Sequence, residues 1–148
     1  MLTEVEEGQI EDVFDLPEGY APSEDEPFMN DRQQAYFKKK LLEWKEDILR
    51  ANRETLQHLY EDSSQHSDIA DRASAETDKS LELRARDRQR KLVAKIDSAL
   101  ERLRDGSYGY CLETGEPIGL KRLEARPIAT LSIEAQERHE RKERIFRD

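Results

Sequence analysis

The feature that most constrains this chain is a stretch of 32 residues, 31–62, that contains neither glycine nor proline. Its apolar and small residues recur at alternating spacings of four and three, at Phe37, Leu41, Trp44, Ile48, Ala51 and Thr55, and a second set recurs every seven, at Leu42, Leu49 and Leu56. This periodicity predicts an α-helix with a coiled-coil seam. Asn30 is suited to cap the helix, and Gln33 to complete a capping box.

A second helix is predicted after the polar connection at 63–67. It begins near Ile69–Arg72 and ends at Asp105, because Gly106 is a favourable C-terminal stop. The apolar and small positions of this helix follow a similar three-and-four pattern, at Ala85, Leu92, Ile96, Ala99 and Leu103. Residues 31–105 therefore predict a long antiparallel coiled-coil hairpin with its tip near 63–73.

Residues 106–148 differ in composition from the two helices, since four of the six glycines lie between 106 and 119. The fold class is therefore mainly α, a hairpin followed by a small C-terminal module and a terminal helix. The predicted elements of the module are short strands at about Tyr108–Cys111 and Glu116–Ile118, a helical turn at Leu120–Ala125, and a last helix from Ile133 to about Phe146, capped by Ser132. The module has too few apolar residues for a core of its own and must pack on the helices or use another staple.

The net charge of −9 is concentrated at the N-terminus. Residues 1–30 hold ten acidic residues and no Lys or Arg, which leaves 24 acidic and 25 basic residues in the remainder. We interpret residues 1–30 as an extended acidic tail that either solubilises the chain or docks on it through its apolar residues. The near-neutral remainder argues against sequence-specific DNA binding, and the mixed charges of the last helix favour a solvated face.

Several protein classes are excluded by what the chain lacks. No apolar stretch approaches the ~18 residues of a membrane span, and the N-terminus has no apolar core of a secretory signal, so we expect a cytoplasmic protein. The single cysteine, Cys111, rules out a disulfide within the chain and any all-cysteine metal site.

One motif resembles a known family. Residues 105–135 read DGSYGYCLETGEPIGLKRLEARPIATLSIEA. They resemble the zinc-finger signature of the DksA/TraR family, GYC-x-x-C-G-x-x-I-x-x-x-RL-x-A-x-P followed by a second C-x-x-C. Residues 68–73 are similar to the family's coiled-coil tip, and 80–88, SLELRARDR, to its second coiled-coil helix. The resemblance covers roughly residues 29–140.

The chain departs from this family at the metal ligands. The four cysteine positions fall on Cys111, Thr114, Ser132 and Ala135, and His139 offers at most a second ligand. Structural zinc takes four Cys or His ligands, so we predict a degenerate finger without zinc or any other resident cofactor. We expect hydrogen bonds from Thr114 and Ser132, and packing around Cys111 and Ala135, to replace the metal. Cys111 is interpreted as a buried small hydrophobe, with a reactive thiol as the alternative.

The resemblance implies a transcription regulator rather than an enzyme. In the family the hairpin enters the secondary channel of bacterial RNA polymerase and changes initiation, for example at ribosomal RNA promoters. By this resemblance Asp71 is the main effector, Asp68 assists, Ala73 keeps the approach open, and Arg88 contacts the polymerase. From the residues alone, Asp68 or Asp71 could equally cap the second helix.

The family also binds guanosine tetraphosphate (ppGpp) jointly with the polymerase. The matching positions are Leu92, Lys95 and Arg126, while a position that carries Lys in the family is Gln136 here. Cations suit a polyphosphate, and the loss of one charge weakens the expected synergy. Without the resemblance, Lys95 and Arg126 would be interpreted as surface charges.

Two other functions fit parts of the pattern. A transcript-cleavage factor of the Gre type would use Asp68 and Asp71 to hold a magnesium ion at the polymerase centre. A coiled-coil scaffold would bind a partner helix without any role at the polymerase. A hairpin that closes its own seam favours a monomer.

Overall fold

The structure is a computed structural model that describes residues 16–62 and 69–147. It contains four helices, α1 (Asp31–Asp62), α2 (Ile69–Asp105), α3 (Leu120–Ala125) and α4 (Ile133–Arg147). The chain divides into two units. The hairpin unit is Leu42–Ser98, and the terminal unit comprises the described residues up to Leu41 and from Ala99 onward. The mainly helical fold and the four predicted helices are confirmed.

The hairpin unit is formed by antiparallel stretches of α1 and α2. Ile48 and Ile96 are buried between them, and Lys45 Nζ lies 2.6 Å from Asp97 Oδ1. The predicted seam is wrong at three positions. Leu42 and Leu56 of the second set are 43% and 45% exposed, and Ala51 of the first set is exposed. Adjacent helical residues point about 100° apart, so a seam between two helices covers only part of two neighbouring periodic sets.

The terminal unit encloses an aromatic core. Phe37 of α1 is fully buried, and its ring centroid lies 5.7 Å from that of Tyr108, which is 2% exposed. The Tyr108 hydroxyl donates a hydrogen bond of 2.7 Å to the carbonyl of Pro127. The other buried apolar residues of this unit are Met29, Leu41, Ala99, Cys111, Ile118, Leu120, Leu123, Ala129 and Ala135. The C-terminal module thus shares its core with α1, as its low apolar content requires.

The two short strands predicted in the module are wrong. The described residues there form one isolated antiparallel bridge, between Tyr110 and Pro117. Flanking backbone hydrogen bonds join Cys111 to Glu116 and Ile118 to Gly109, both at 2.8 Å. Pro117 has no N–H to donate and Gly109 has a φ of 92°, so the pairing cannot extend into a ladder.

Residues 16–30, the N-terminal arm, pack on the terminal unit. The Phe28 ring meets Tyr110 edge to face at 5.5 Å, and Tyr20 meets Tyr36 at 6.1 Å. A Cβ at Gly109 would lie 3.0 Å from Met29 Cγ, which shows how closely the arm approaches this turn. For residues 16–30 the docked alternative is therefore confirmed, whereas residues 1–15 lie outside the described residues.

The arm joins α1 through a variant of the predicted capping box. Asn30 Oδ1 accepts a hydrogen bond from the N–H of Gln33, as expected, at 2.8 Å. The fully buried Gln33 side chain, however, accepts from the N–H of Met29 at 2.8 Å and donates to the carbonyl of Ser23 at 3.2 Å. Gln33 therefore holds the arm as well as the start of the helix.

Replacing Gln33 with Ala tests this role. We expect Gln33→Ala to lower the free energy of unfolding by about 1–3 kcal/mol, because the buried Met29 N–H loses its acceptor. The matched control is Gln57→Ala on an exposed position of α1, with an expected change within about 0.5 kcal/mol. Urea unfolding followed by circular dichroism measures both, and equal losses in the two variants would contradict the assignment.

Candidate functional site

The tip residues implied by the resemblance are only partly described. Asp68 and the side chain of Asp71 lie outside the described residues, although the Asp71 backbone belongs to the first turn of α2. Ala73 follows on the same helix and is exposed. Their role at the tip therefore stays a prediction.

The outer face of α2 carries a basic stripe that sequence reasoning identified only in part. Arg88 and Lys95 are exposed, and Arg84 and Lys91 complete a series at spacings of four, three and four. These spacings place all four cations on one helix face. Lys91 also lies 3.7 Å from Asp87, an exposed pair of little energetic weight. The regular spacing of the cations was the signal that could have identified the stripe.

The residues implied in nucleotide binding are divided between the two units. Leu92, which is half-buried, and Lys95 lie about one turn apart on α2 in the hairpin unit. Arg126 belongs to the terminal unit, directly after α3, and is exposed. Gln136 lies on α4 and donates a hydrogen bond of 3.3 Å to Glu140. The structure thus brings Leu92 and Lys95 together on one helix.

A cluster that the sequence did not reveal ties α3 to α1. The Tyr36 hydroxyl donates to the Glu124 carboxylate, and Lys40 Nζ lies 3.0 Å from Glu124 Oε1 and 2.9 Å from the Glu124 carbonyl oxygen. Burial, together with the hydrogen bond to Glu124 and its charge, raises the pKa of Tyr36 to about 12. Because Glu124 is two residues from Arg126, these contacts fix the backbone that presents Arg126.

The four positions that match the cysteines of the finger include one buried thiol. Cys111 is 3% exposed, and hydrogen bonding to Thr114 and to the backbone of Ser132, Thr114 and Glu113 acts on the pKa of its thiol. Burial would raise the pKa of this thiol, but the hydrogen bonds outweigh it and lower the pKa to about 6. Ser132 caps α4 by accepting from the N–H of Ala135 at 3.2 Å, and Ala135 is fully buried.

This donor set does not fit structural zinc. The four positions supply one thiol, two hydroxyls and a methyl group, and the Ser132 hydroxyl is engaged at the helix cap. His139 contacts Glu113, which pairs the one nearby imidazole with a carboxylate. Within residues 16–62 and 69–147, no group of three or more His, Cys, Asp or Glu side chains could hold a metal ion. Structural zinc sites need four nitrogen or sulfur ligands.

The lowered pKa of Cys111 predicts a pH-dependent contribution to stability. Because the folded pKa of about 6 lies below the ordinary 9.0, the stabilisation is complete above pH 9 and is lost as the pH falls towards 6. The difference in unfolding free energy between the wild type and Cys111→Ala is therefore expected to widen from pH 6 to pH 9. Urea unfolding at pH values across this range measures the difference. A difference that does not change with pH would contradict a lowered pKa of the Cys111 thiol in the folded protein.

The chain thus belongs to a class of proteins in which a helical hairpin is followed by a small finger-like module. Residues 33–103 match the family described as DnaK suppressor protein DksA, N-terminal domain, and residues 106–141 match the prokaryotic dksA/traR C4-type zinc finger. The chain belongs to the DksA family. It retains one of the four cysteines that the name of the C4-type finger implies.

Several relatives are similar over most of their length. The RNA polymerase-binding transcription factor DksA of Caulobacter vibrioides is 72% identical over 129 residues, which cover 87% of this chain and 91% of that protein. The protein of the same name from Escherichia coli K12 is 40% identical over 119 residues, covering 80% and 79%. The structure of transcription factor DksA2 from Pseudomonas aeruginosa matches with a TM-score of 0.74 and 47% identity, covering 79% and 90%.

Two coarser properties follow for the chain itself. As a member of a family of transcription factors, it is a regulator. No helix in the described part of the chain is long and apolar enough to cross a membrane.

Proposed function

We propose that this protein regulates transcription by binding bacterial RNA polymerase directly and changing initiation, for example at ribosomal RNA promoters. The observation that carries the proposal is the 72% identity, over 129 residues, to a protein named RNA polymerase-binding transcription factor DksA. The relative from Pseudomonas aeruginosa, with the same fold at 47% identity, supports it. The chain itself makes and breaks no covalent bond in this role.

The hairpin is the part that acts on the polymerase. It enters the secondary channel and presents Asp71, assisted by Asp68, near the catalytic centre, while the small side chain of Ala73 leaves room for the approach. A carboxylate placed there shifts the electrostatic balance around the catalytic magnesium and the template, and so changes the lifetime of the open complex. The supporting observation is that Asp71 lies in the first turn of a helix of 37 residues.

The basic stripe on α2 supplies the docking charge. Arg88 contacts the polymerase, and the exposed Arg84 and Lys91 extend the same face. Charged rims of this kind increase association rates and fix the orientation of binding more than they add affinity. Binding through this stripe weakens as the salt concentration rises.

The second effector is ppGpp, bound jointly with the polymerase. Lys95 and Arg126 pair with its phosphates, and Leu92 provides an apolar contact beside them. The contacts of Glu124 with Tyr36 and Lys40 support the backbone of Arg126. Gln136 cannot replace a cation, so the synergy with ppGpp is weaker than in relatives that carry Lys at this position.

The protein needs no zinc for this function. Hydrogen bonds to the Cys111 sulfur replace the metal, and regulation is therefore insensitive to zinc starvation. We further propose that the protein acts as a cytoplasmic monomer without sequence-specific DNA binding, since the 118 residues after the acidic arm are nearly neutral.

Multi-round transcription in vitro tests the proposal. The cognate polymerase acts on a ribosomal RNA promoter with wild type, Asp71→Asn, or the matched control Asp78→Asn from an exposed position of the same helix. We expect wild type and the control to inhibit, and Asp71→Asn to bind the polymerase with most of its inhibition lost. Arg126→Ala is expected to keep basal inhibition and to weaken the ppGpp response about tenfold, as loss of a charge-assisted hydrogen bond would.

Three other results, from transcript-cleavage, polymerase-binding and transcription assays, would replace the proposal or part of it. Shortening of the transcript in arrested complexes by wild type but not by Asp71→Asn would indicate a Gre-type cleavage factor. No binding of wild type to the polymerase would leave a coiled-coil scaffold. Equal ppGpp responses of wild type and Arg126→Ala would remove Arg126 from the nucleotide site.

A further inference from the structure

The distal part of the hairpin, residues 49–62 and 69–89, has an inverted distribution of polarity. Three of its leucines are exposed, since Leu56, Leu81 and Leu83 are 45%, 55% and 53% exposed, whereas Leu49 is half-buried. These three side chains therefore gain little from burial in the folded hairpin.

Polar atoms take the inner positions in the same segment. Asn52 Oδ1, Glu82 Oε2 and Arg86 Nε are shielded from solvent and have no hydrogen-bond partner among the described residues. Glu82 and Arg86 lie one turn apart on α2, a spacing that permits an ion pair, yet no such pair is formed between them in the described structure. Shielded polar atoms without partners cost folding free energy, and here three occur within one segment.

The proximal part of the hairpin, residues 42–48 and 90–98, buries isoleucines in its seam, although Leu42 is 43% exposed there as well. Ile48 is 8% exposed and Ile96 is fully buried. The 2.6 Å contact between Lys45 and Asp97 connects the two helices at this level. The proximal part therefore gains apolar burial without the cost of orphaned polar atoms.

We propose that the distal part of the hairpin is a separate cooperative unit of low stability, which opens and recloses in the free protein while the proximal part stays folded. Opening exposes the shielded polar atoms of Asn52, Glu82 and Arg86 to water, and little apolar burial is lost. The boundary between the distal and proximal parts lies where the residues of the seam change from isoleucine to polar residues. A partner surface that covers the outward leucines would favour the closed form. That last step rests on the proposed function, whereas the opening is a property of the free chain.

Native-state hydrogen exchange of the full chain at increasing urea tests the opening. Amides in 51–58 and 75–88 are expected to share one opening free energy and one urea dependence. Their protection is expected to be lower than that of amides in 92–98 by about tenfold or more, which corresponds to about 1.4 kcal/mol. A smooth decrease of protection towards the end of the hairpin, with no common opening, would overturn the proposal.

Repair of the seam separates this account from ordinary fraying. Glu82→Leu is expected to raise the protection of the whole distal set about tenfold and to leave 92–98 unchanged, because it removes the shielded carboxylate oxygen Oε2 and adds apolar contact. Asn52→Leu, on the other helix, is expected to raise the same set. The matched control is Glu76→Leu at an exposed position of α2, with no expected effect. No increase in either repaired variant, or an equal increase in the control, would refute the proposal. Because no polymerase is present, neither outcome depends on the proposed function.

Discussion

The terminal unit depends on the junction at the buried Cys111. Hydrogen bonding to Thr114 and to the backbone of Ser132, which lies 21 positions further along the chain, lowers the pKa of the Cys111 thiol. Because Ser132 also caps α4, the same junction sets the direction in which the last helix leaves the module. The arrangement belongs to the finger family, but the four cysteine positions carry one thiol, two hydroxyls and a methyl group.

The N-terminal arm provides the second constraint on this small unit. Met29 adopts a left-handed φ of 54°, which is costly for a residue with a side chain. Two hydrogen bonds offset the cost, one from the Met29 N–H to Gln33 and one of 2.7 Å from Gln34 to the Met29 carbonyl. In this conformation the Met29 side chain packs against Gly109, two residues before Cys111. A segment that looks like a tail by its charge packs, from residue 16 onward, on the terminal unit and contributes Met29 to its core.

The helices were predictable because their signals are local. Periodic apolar residues, the Asn30 cap and Gly106 mark their limits, and the bounds of α1 and α3 agree with the sequence-based prediction. The strands were not, since the bridge at Tyr110 is limited by the missing donor of Pro117 and by the turn at Gly109. The same periodicity overestimated the burial of Leu42 and Leu56, because it cannot show which of two adjacent sets the partner helix covers.

The candidate site was predictable only in part, and only through the family motif. Cys111, Thr114, Ser132 and Ala135 were identified through the cysteine positions of the family's finger. In the structure Cys111 interacts with Thr114 and Ser132, and Ser132 contacts Ala135. The contact of Tyr36 with Glu124 joins residues 88 positions apart and leaves no local pattern in the sequence. The hydrogen bonds of Gln33 to the arm could not be predicted either. A glutamine at this position is expected for a capping box, and the same residue type can also anchor the arm.

Whether this finger-like module folds without a metal ion is tested by the zinc content of the purified protein. The protein would be produced in zinc-supplemented medium, analysed by plasma mass spectrometry, and melted with and without a strong chelator. We predict far less than one zinc ion per chain and the same melting temperature in both conditions. About one zinc ion per chain, together with a melting temperature that falls on chelation, would contradict it.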